Sequence, residues 1–128
     1  MFTPLVFNIL VGNNDDHLRS HAAFWNGTTL TLTPAYDLAP QIRNTKPSSQ
    51  AIAITRDGQR ASQIRLATEG AREFLLGHAE ADEIIDRVRS VLETEWDECA
   101  DLAHLTGPER DGLRGREFLK PYVDYTQA

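Results

Sequence analysis

The sequence predicts a mainly α-helical domain carrying one small β-hairpin, and three observations predict it. Ile84, Val88, Val91, Leu92, Trp96, Cys99 and Ala103 recur at three- and four-residue steps, the spacing that gathers side chains onto one face of a helix. The apolar run PLVFNILV stops at Gly12, as a buried helix ending in a left-handed glycine does. Between these lies Asn26-Gly27, followed by alternating leucine and threonine; that dipeptide favours positive φ at consecutive positions and predicts a type I′ hairpin turn.

Taken in order, residues 4–12 read as a helix with Pro4 in its first turn and Leu5, Val6, Ile9 and Leu10 on one face. Residues 13–20 are polar and loop-like. The hairpin leaves this loop near His21 and returns by Thr33, with Leu30 and Leu32 expected to be buried on one side while Thr29, Thr31 and Thr33 face water. Residues 34–50 are rich in Pro, Asn, Ser and Gln and read as a loop, and AIAIT-RDG as a short strand and turn. SQIRLATEGAREFLLG predicts a helix capped by Ser62 and ended by Gly77. The long amphipathic helix covers about residues 79–104 and is broken by Gly107-Pro108. A weaker helix holds Leu113, Phe118 and Leu119. Glu80, Asp82, Glu83, Asp86, Arg87 and Arg89 read as a solvated helix face, and His78 and His104 as exposed helix ends. Residues 1–128 show no repeat and no internal boundary, so they read as one domain.

Composition narrows the function. The formal net charge is −6, and an acidic surface repels phosphate backbones, which argues against direct contact with nucleic acid. The apolar opening lacks a basic flank, carries Asn8 and is too short to span a bilayer, so no membrane association is expected. Cys99 is the one cysteine; it cannot form an internal disulfide, suits a reducing cytoplasm, and is expected to be a buried small hydrophobe. A buried helix at the very start of the chain carries the expectation that further sequence normally precedes it.

The chemistry concentrates in residues 12–40. A two-strand excursion returns the chain to its starting end, so Asp15 before the hairpin and Asp37 after it are expected to lie close together. Two converging carboxylates repel unless a cation or proton lies between them, and Mg²⁺ prefers one or two carboxylates together with substrate phosphates. The blander reading makes Asp15 and Asp16 loop and capping residues. His17 and His21 form an H-x-x-x-H pair, which on a helix binds zinc with a third ligand; no glutamate follows His17 and the segment reads as loop, which weighs against it. No Gly-x-Ser-x-Gly elbow is present, and Cys99 has no catalytic partner beside it.

An aspartate, a hairpin and a second aspartate resemble the catalytic end of a protein kinase C-lobe. More specifically, FNILVGNNDDHLRSH followed by LTPAYDLAP resembles the C-terminal part of HipA-like serine/threonine kinases, bacterial toxin kinases of toxin–antitoxin modules. That family's signature is similar to Asn-x-x-x-Gly-Asn-x-Asp-x-His-x-(Lys/Arg)-Asn, then Pro-x-Tyr-Asp-Leu after a hairpin. Asn8, Gly12, Asn13, Asp15, His17 and Arg19 fall on the first block, and Pro34, Tyr36, Asp37 and Leu38 on the second. AREFLLGHAEADEIIDRV is similar to the helical tail of the family, a generic pattern.

The resemblance implies a protein-kinase-like C-lobe fragment with ATP as substrate and Mg²⁺ as cofactor. It implies Asp15 as the base or hydroxyl-orienting residue, Asp37 as the Mg²⁺ ligand, and Arg19 beside the transferring phosphoryl group. Asn8, Asn13, His17 and Tyr36 support the motif, with Asn13 and His17 holding the loop by hydrogen bonds. Ser20 stands where the family has a metal-binding asparagine. The glycine-rich loop and nucleotide-anchoring lysine of the family belong to sequence N-terminal to this segment, so the isolated chain is expected to have little or no kinase activity. The implied partners are a protein substrate and either an antitoxin or a separate N-terminal lobe. Two further readings stand beside this one: a non-catalytic remnant that binds an antitoxin or a separate N-terminal lobe, and a metal-dependent hydrolase using Asp15, Asp37 and His17.

Overall fold

The computed structural model describes residues 1–41 and 47–125, so residues 42–46 of the expected 34–50 loop lie outside the described residues. Helix α1 spans Phe2–Val11 and buries Val6, Ile9 and Leu10 completely. Gly12 ends it with φ 73°, and the Gly12 and Asn13 N–H groups donate back to Ile9 and Asn8 carbonyls at 3.3 and 2.9 Å. Such a left-handed cap satisfies carbonyls that the helix end leaves open. Glycine is needed here twice over, because a Cβ at Gly12 would also sit 2.7 Å from the Glu117 carbonyl oxygen.

The hairpin follows. Strands β1 (Ala23–Trp25) and β2 (Leu30–Leu32) pair antiparallel, with Ala23 opposite Leu32 and Trp25 opposite Leu30. Their connection is the four-residue stretch 26–29 and not the expected two-residue turn. Asn26 Oδ1 accepts from the Thr28 and Thr29 N–H groups, both at 2.9 Å, and Gly27 has φ 96°. The asparagine therefore shapes the turn with its side chain. The expected half-burial is also absent: Leu30 and Leu32 are 70% and 48% exposed, and every residue of both strands is exposed. Alternation says which face is apolar; it does not say that a layer covers it.

Helix α2 (Ile64–Gly70) and helix α3 (His78–Leu102) close on α1. Leu66, Ala67, Ala81, Ile85 and Val88 complete the core around α1, and Val123 adds to it from the C-terminal segment. The helix expected to run from Ser62 to Gly77 is shorter. Ser62 is buried and does not cap it, and beyond Gly70 the chain tightens into a 3-10 turn at Ala71–Phe74. Gly70 is where the neighbouring segment presses closest, since a Cβ there would lie 2.7 Å from the Ile54 carbonyl oxygen. AIAIT-RDG forms a turn, closed by the Gly58 N–H to the Thr55 carbonyl at 3.0 Å and the Ile54 N–H to the Gln59 carbonyl at 2.7 Å, and a Ser49–Ala61 bridge flanks it in place of a strand.

Helix α3 outruns the core. Val91 and Cys99 are exposed, correcting the expected burial of Cys99, while Trp96 packs its ring 4.5 Å from that of Phe118. Gly107-Pro108, expected to end a helix, instead begins helix α4 (Gly107–Leu113); proline suits a first turn, where its missing N–H has no partner to lose. Phe118 and Leu119 lie beyond α4, and the Leu119 N–H donates to the Leu10 carbonyl at 2.7 Å. Among the described residues no helix is long and apolar enough to cross a membrane.

Candidate functional site

The two halves of the motif meet at the C-terminal end of α1. Asn13, 2% exposed, is the junction. Its Nδ2 donates to Asn8 Oδ1 at 3.0 Å and to the Asp37 carbonyl oxygen at 3.4 Å, while its Oδ1 accepts the Asp15 N–H at 3.2 Å. One carboxamide thus holds the main chains of Asp15 and Asp37 on its two sides, and because one partner is an acceptor and the other a donor, its orientation is determined. Asn8 is fully buried and anchors Asn13 to the helix.

A second stitch joins the same segments. The Tyr36 hydroxyl donates to the Arg19 carbonyl oxygen at 2.9 Å. The Arg19 guanidinium is exposed and makes no ion pair among the described residues. Asp15 and Asp37 are exposed as well. Asp37 has φ 58°, a left-handed conformation uncommon outside glycine and commonest in asparagine and aspartate. The carboxylate therefore leaves the chain at a kink, as side chains at functional sites often do.

The remaining expected residues serve the loop. Residues Leu18–Ser20 form a 3-10 turn. Ser20 is 6% exposed, and its hydroxyl faces His17 Nδ1 at 3.4 Å. Asp16 and His21 close the same turn with a contact of 2.7 Å between Oδ1 and Nε2. That pair was not foreseen, since nothing in loop sequence says that residues five apart will face each other. Asn14 and Gln50, joined by a buried hydrogen bond, were missed for the same reason.

Among the described residues no three histidine, cysteine, aspartate or glutamate side chains gather as a closed metal cage. What the corner offers is two exposed aspartates whose main chains are held by one carboxamide, and their carboxylates are oxygen donors. Oxygen donors of this kind suit Mg²⁺, which keeps water and phosphate oxygens in most of its coordination shell. The corner fits zinc poorly, because His17 is turned toward Ser20 and His21 toward Asp16.

No curated protein and no solved structure matches the chain. A family described as the HipA-like C-terminal domain matches residues 1–96, which include α1, the hairpin, both motif blocks, α2 and most of α3. With the larger part of its length so matched, this chain belongs to the HipA-like C-terminal domain family.

Proposed function

We propose that the chain is the C-lobe portion of an ATP- and Mg²⁺-dependent serine/threonine protein kinase of the HipA type, acting in the cytoplasm. The observation that carries this reading is the Asn13 carboxamide, which binds the Asp15 N–H and the Asp37 carbonyl at once. In this reading the substrate hydroxyl oxygen attacks the γ-phosphorus, the bond to the β,γ-bridging oxygen breaks, and the hydroxyl proton passes to the Asp15 carboxylate. Asp37 would hold Mg²⁺, which when bound would offset the charge of the phosphates. Arg19 extends from the turn stitched to Tyr36 and neutralises charge on the transferring group. Ser20 serves as a metal ligand only if its hydroxyl turns away from His17.

Such a half-site requires a glycine-rich loop and a nucleotide-anchoring lysine from outside residues 1–128. Alone, the chain is expected to show little turnover; with these supplied, it is expected to phosphorylate a protein hydroxyl. In that assembly Asp15→Asn should lower turnover by about 10²–10⁴. Unchanged turnover in Asp15→Asn, or Mg²⁺-independent transfer, would rule the assignment out.

A second reading, a binding module for an antitoxin or a separate lobe, is favoured by one observation. Phe24, Trp25 and Leu30 are each more than 60% exposed on the hairpin, and a two-stranded sheet is marginal by itself in water. Under this reading Trp25→Ser abolishes partner capture while Asp15→Asn leaves it intact.

A further inference from the structure

The loop that carries Asp15 is gripped on a second side by residues outside the motif. Asn14, 6% exposed, lies between Asn13 and Asp15. Gln50, 3% exposed, donates from Nε2 to Asn14 Oδ1 at 3.3 Å and to Ser62 Oγ at 2.9 Å. Gln50 is itself held by its main chain. Its N–H donates to the Arg60 carbonyl at 2.7 Å, the Ser62 N–H donates to the Ser48 carbonyl at 2.8 Å, and Ser49 bridges Ala61 between them. This short ladder runs straight into α2, whose Leu66 and Ala67 are fully buried. Gln50 is therefore rooted in the core and reaches 36 residues back along the sequence. Gln50 Oε1 and Asn14 Nδ2 are buried with no hydrogen-bond partner among the described residues, so the Nε2 bond to Asn14 Oδ1 is the polar contact that ties Asn14 to this ladder.

We propose that Gln50 is a positioning residue: through Asn14 it sets the direction in which Asp15 leaves the loop, whereas the Asp37 main chain is held through Asn13. The proposal rests on the reading of Asp15 as the hydroxyl-orienting carboxylate. It separates two controls over the corner. Loss of Gln50 loosens Asp15 and leaves Asp37 in place.

The test uses the full chain labelled with ¹⁵N and three proteins: wild type, Gln50→Met and Ser62→Ala. Methionine matches glutamine in length and removes every polar atom; alanine at position 62 removes the other bond of Nε2 and spares Asn14. Without metal, Gln50→Met should raise amide exchange at Asp15 about fivefold to tenfold, the loss of roughly one net hydrogen bond, with Asn13 unchanged. Ser62→Ala should not. With Mn²⁺ as a paramagnetic stand-in for Mg²⁺, wild type should broaden the Asp15 and Asp37 signals together, and Gln50→Met should spare Asp15 several-fold relative to Asp37. A general loss of packing would move both signals and would make the two variants alike. Equal exchange at Asp15 in wild type and Gln50→Met, or equal effects of the two variants, overturns the proposal. Absence of broadening in wild type counts against the Mg²⁺ reading, and the metal-free exchange then decides the role of Gln50 by itself.

Discussion

Replacing Asn13 with alanine removes the junction of the two motif blocks, and its cost follows from burial. Asn8 Oδ1 loses its donor inside a fully buried residue; an orphaned buried acceptor costs about 1–3 kcal/mol. The contacts to the Asp15 N–H and the Asp37 carbonyl, at 3.2 and 3.4 Å, border exposed residues where water partly replaces them, adding about 0.5 kcal/mol each. The expected destabilisation is about 3 kcal/mol, or roughly 10 °C in Tm for a domain of this size. Urea denaturation followed by far-UV circular dichroism reads it directly. Asn13→Asp should be worse than Asn13→Ala at neutral pH, because a carboxylate there faces two acceptors, Asn8 Oδ1 and the Asp37 carbonyl. In the Asn8→Ala background, Asn13→Ala should lose about 1 kcal/mol or more of its effect, since the orphaned acceptor is gone. A change below about 1 kcal/mol for Asn13→Ala in the wild-type background would refute the claim that this carboxamide holds the corner together.

Three further expectations concern the scaffold. Gly12→Ala should destabilise by about 2 kcal/mol or more, from the left-handed backbone and the approach of the Glu117 carbonyl, and calorimetry should show a lowered Tm. Leu66→Ala, at a fully buried position of α2 in the core cluster, should cost about 2–5 kcal/mol in chemical denaturation, and a cost under about 1 kcal/mol would contradict its place in the core. Glu109 accepts hydrogen bonds from the Thr106 N–H and hydroxyl, both at 2.8 Å, and the N–H bond, followed by the hydroxyl, holds its carboxyl below the ordinary glutamate value of 4.5. The folded state therefore releases this proton more readily than the unfolded chain. The resulting stabilisation of α4 is complete above that ordinary value and fades as pH falls through the lowered one; amide exchange in α4 should show Glu109→Gln differing from wild type at pH 7 and converging with it once the pH has fallen below the lowered value.

Periodicity and punctuation were enough for α1, its stop at Gly12, and α3, because side-chain spacing and positive φ are local demands that a sequence states openly. The motif spacing likewise sufficed to name the family. Local reading failed where burial depends on what lies opposite. Cys99 and Leu30 fall on apolar stripes but face solvent, since α3 extends past the core and the hairpin is exposed along both strands. Ser62 looked like a helix cap and is instead a buried partner of Gln50.

By itself the sequence determined the family: two acids and a guanidinium stand in an order that matches it, properties carried by side-chain type and spacing. The tertiary structure alone decided how they are held. Asn13 could bond both motif blocks only after the hairpin had returned Asp37 to the end of α1, and Gln50 could reach Asn14 only once α2 had docked in the core. Hydrogen bonds reach about 3 Å and have no sequence range, so the order of residues along the chain gives no sign of such contacts until packing has made them neighbours.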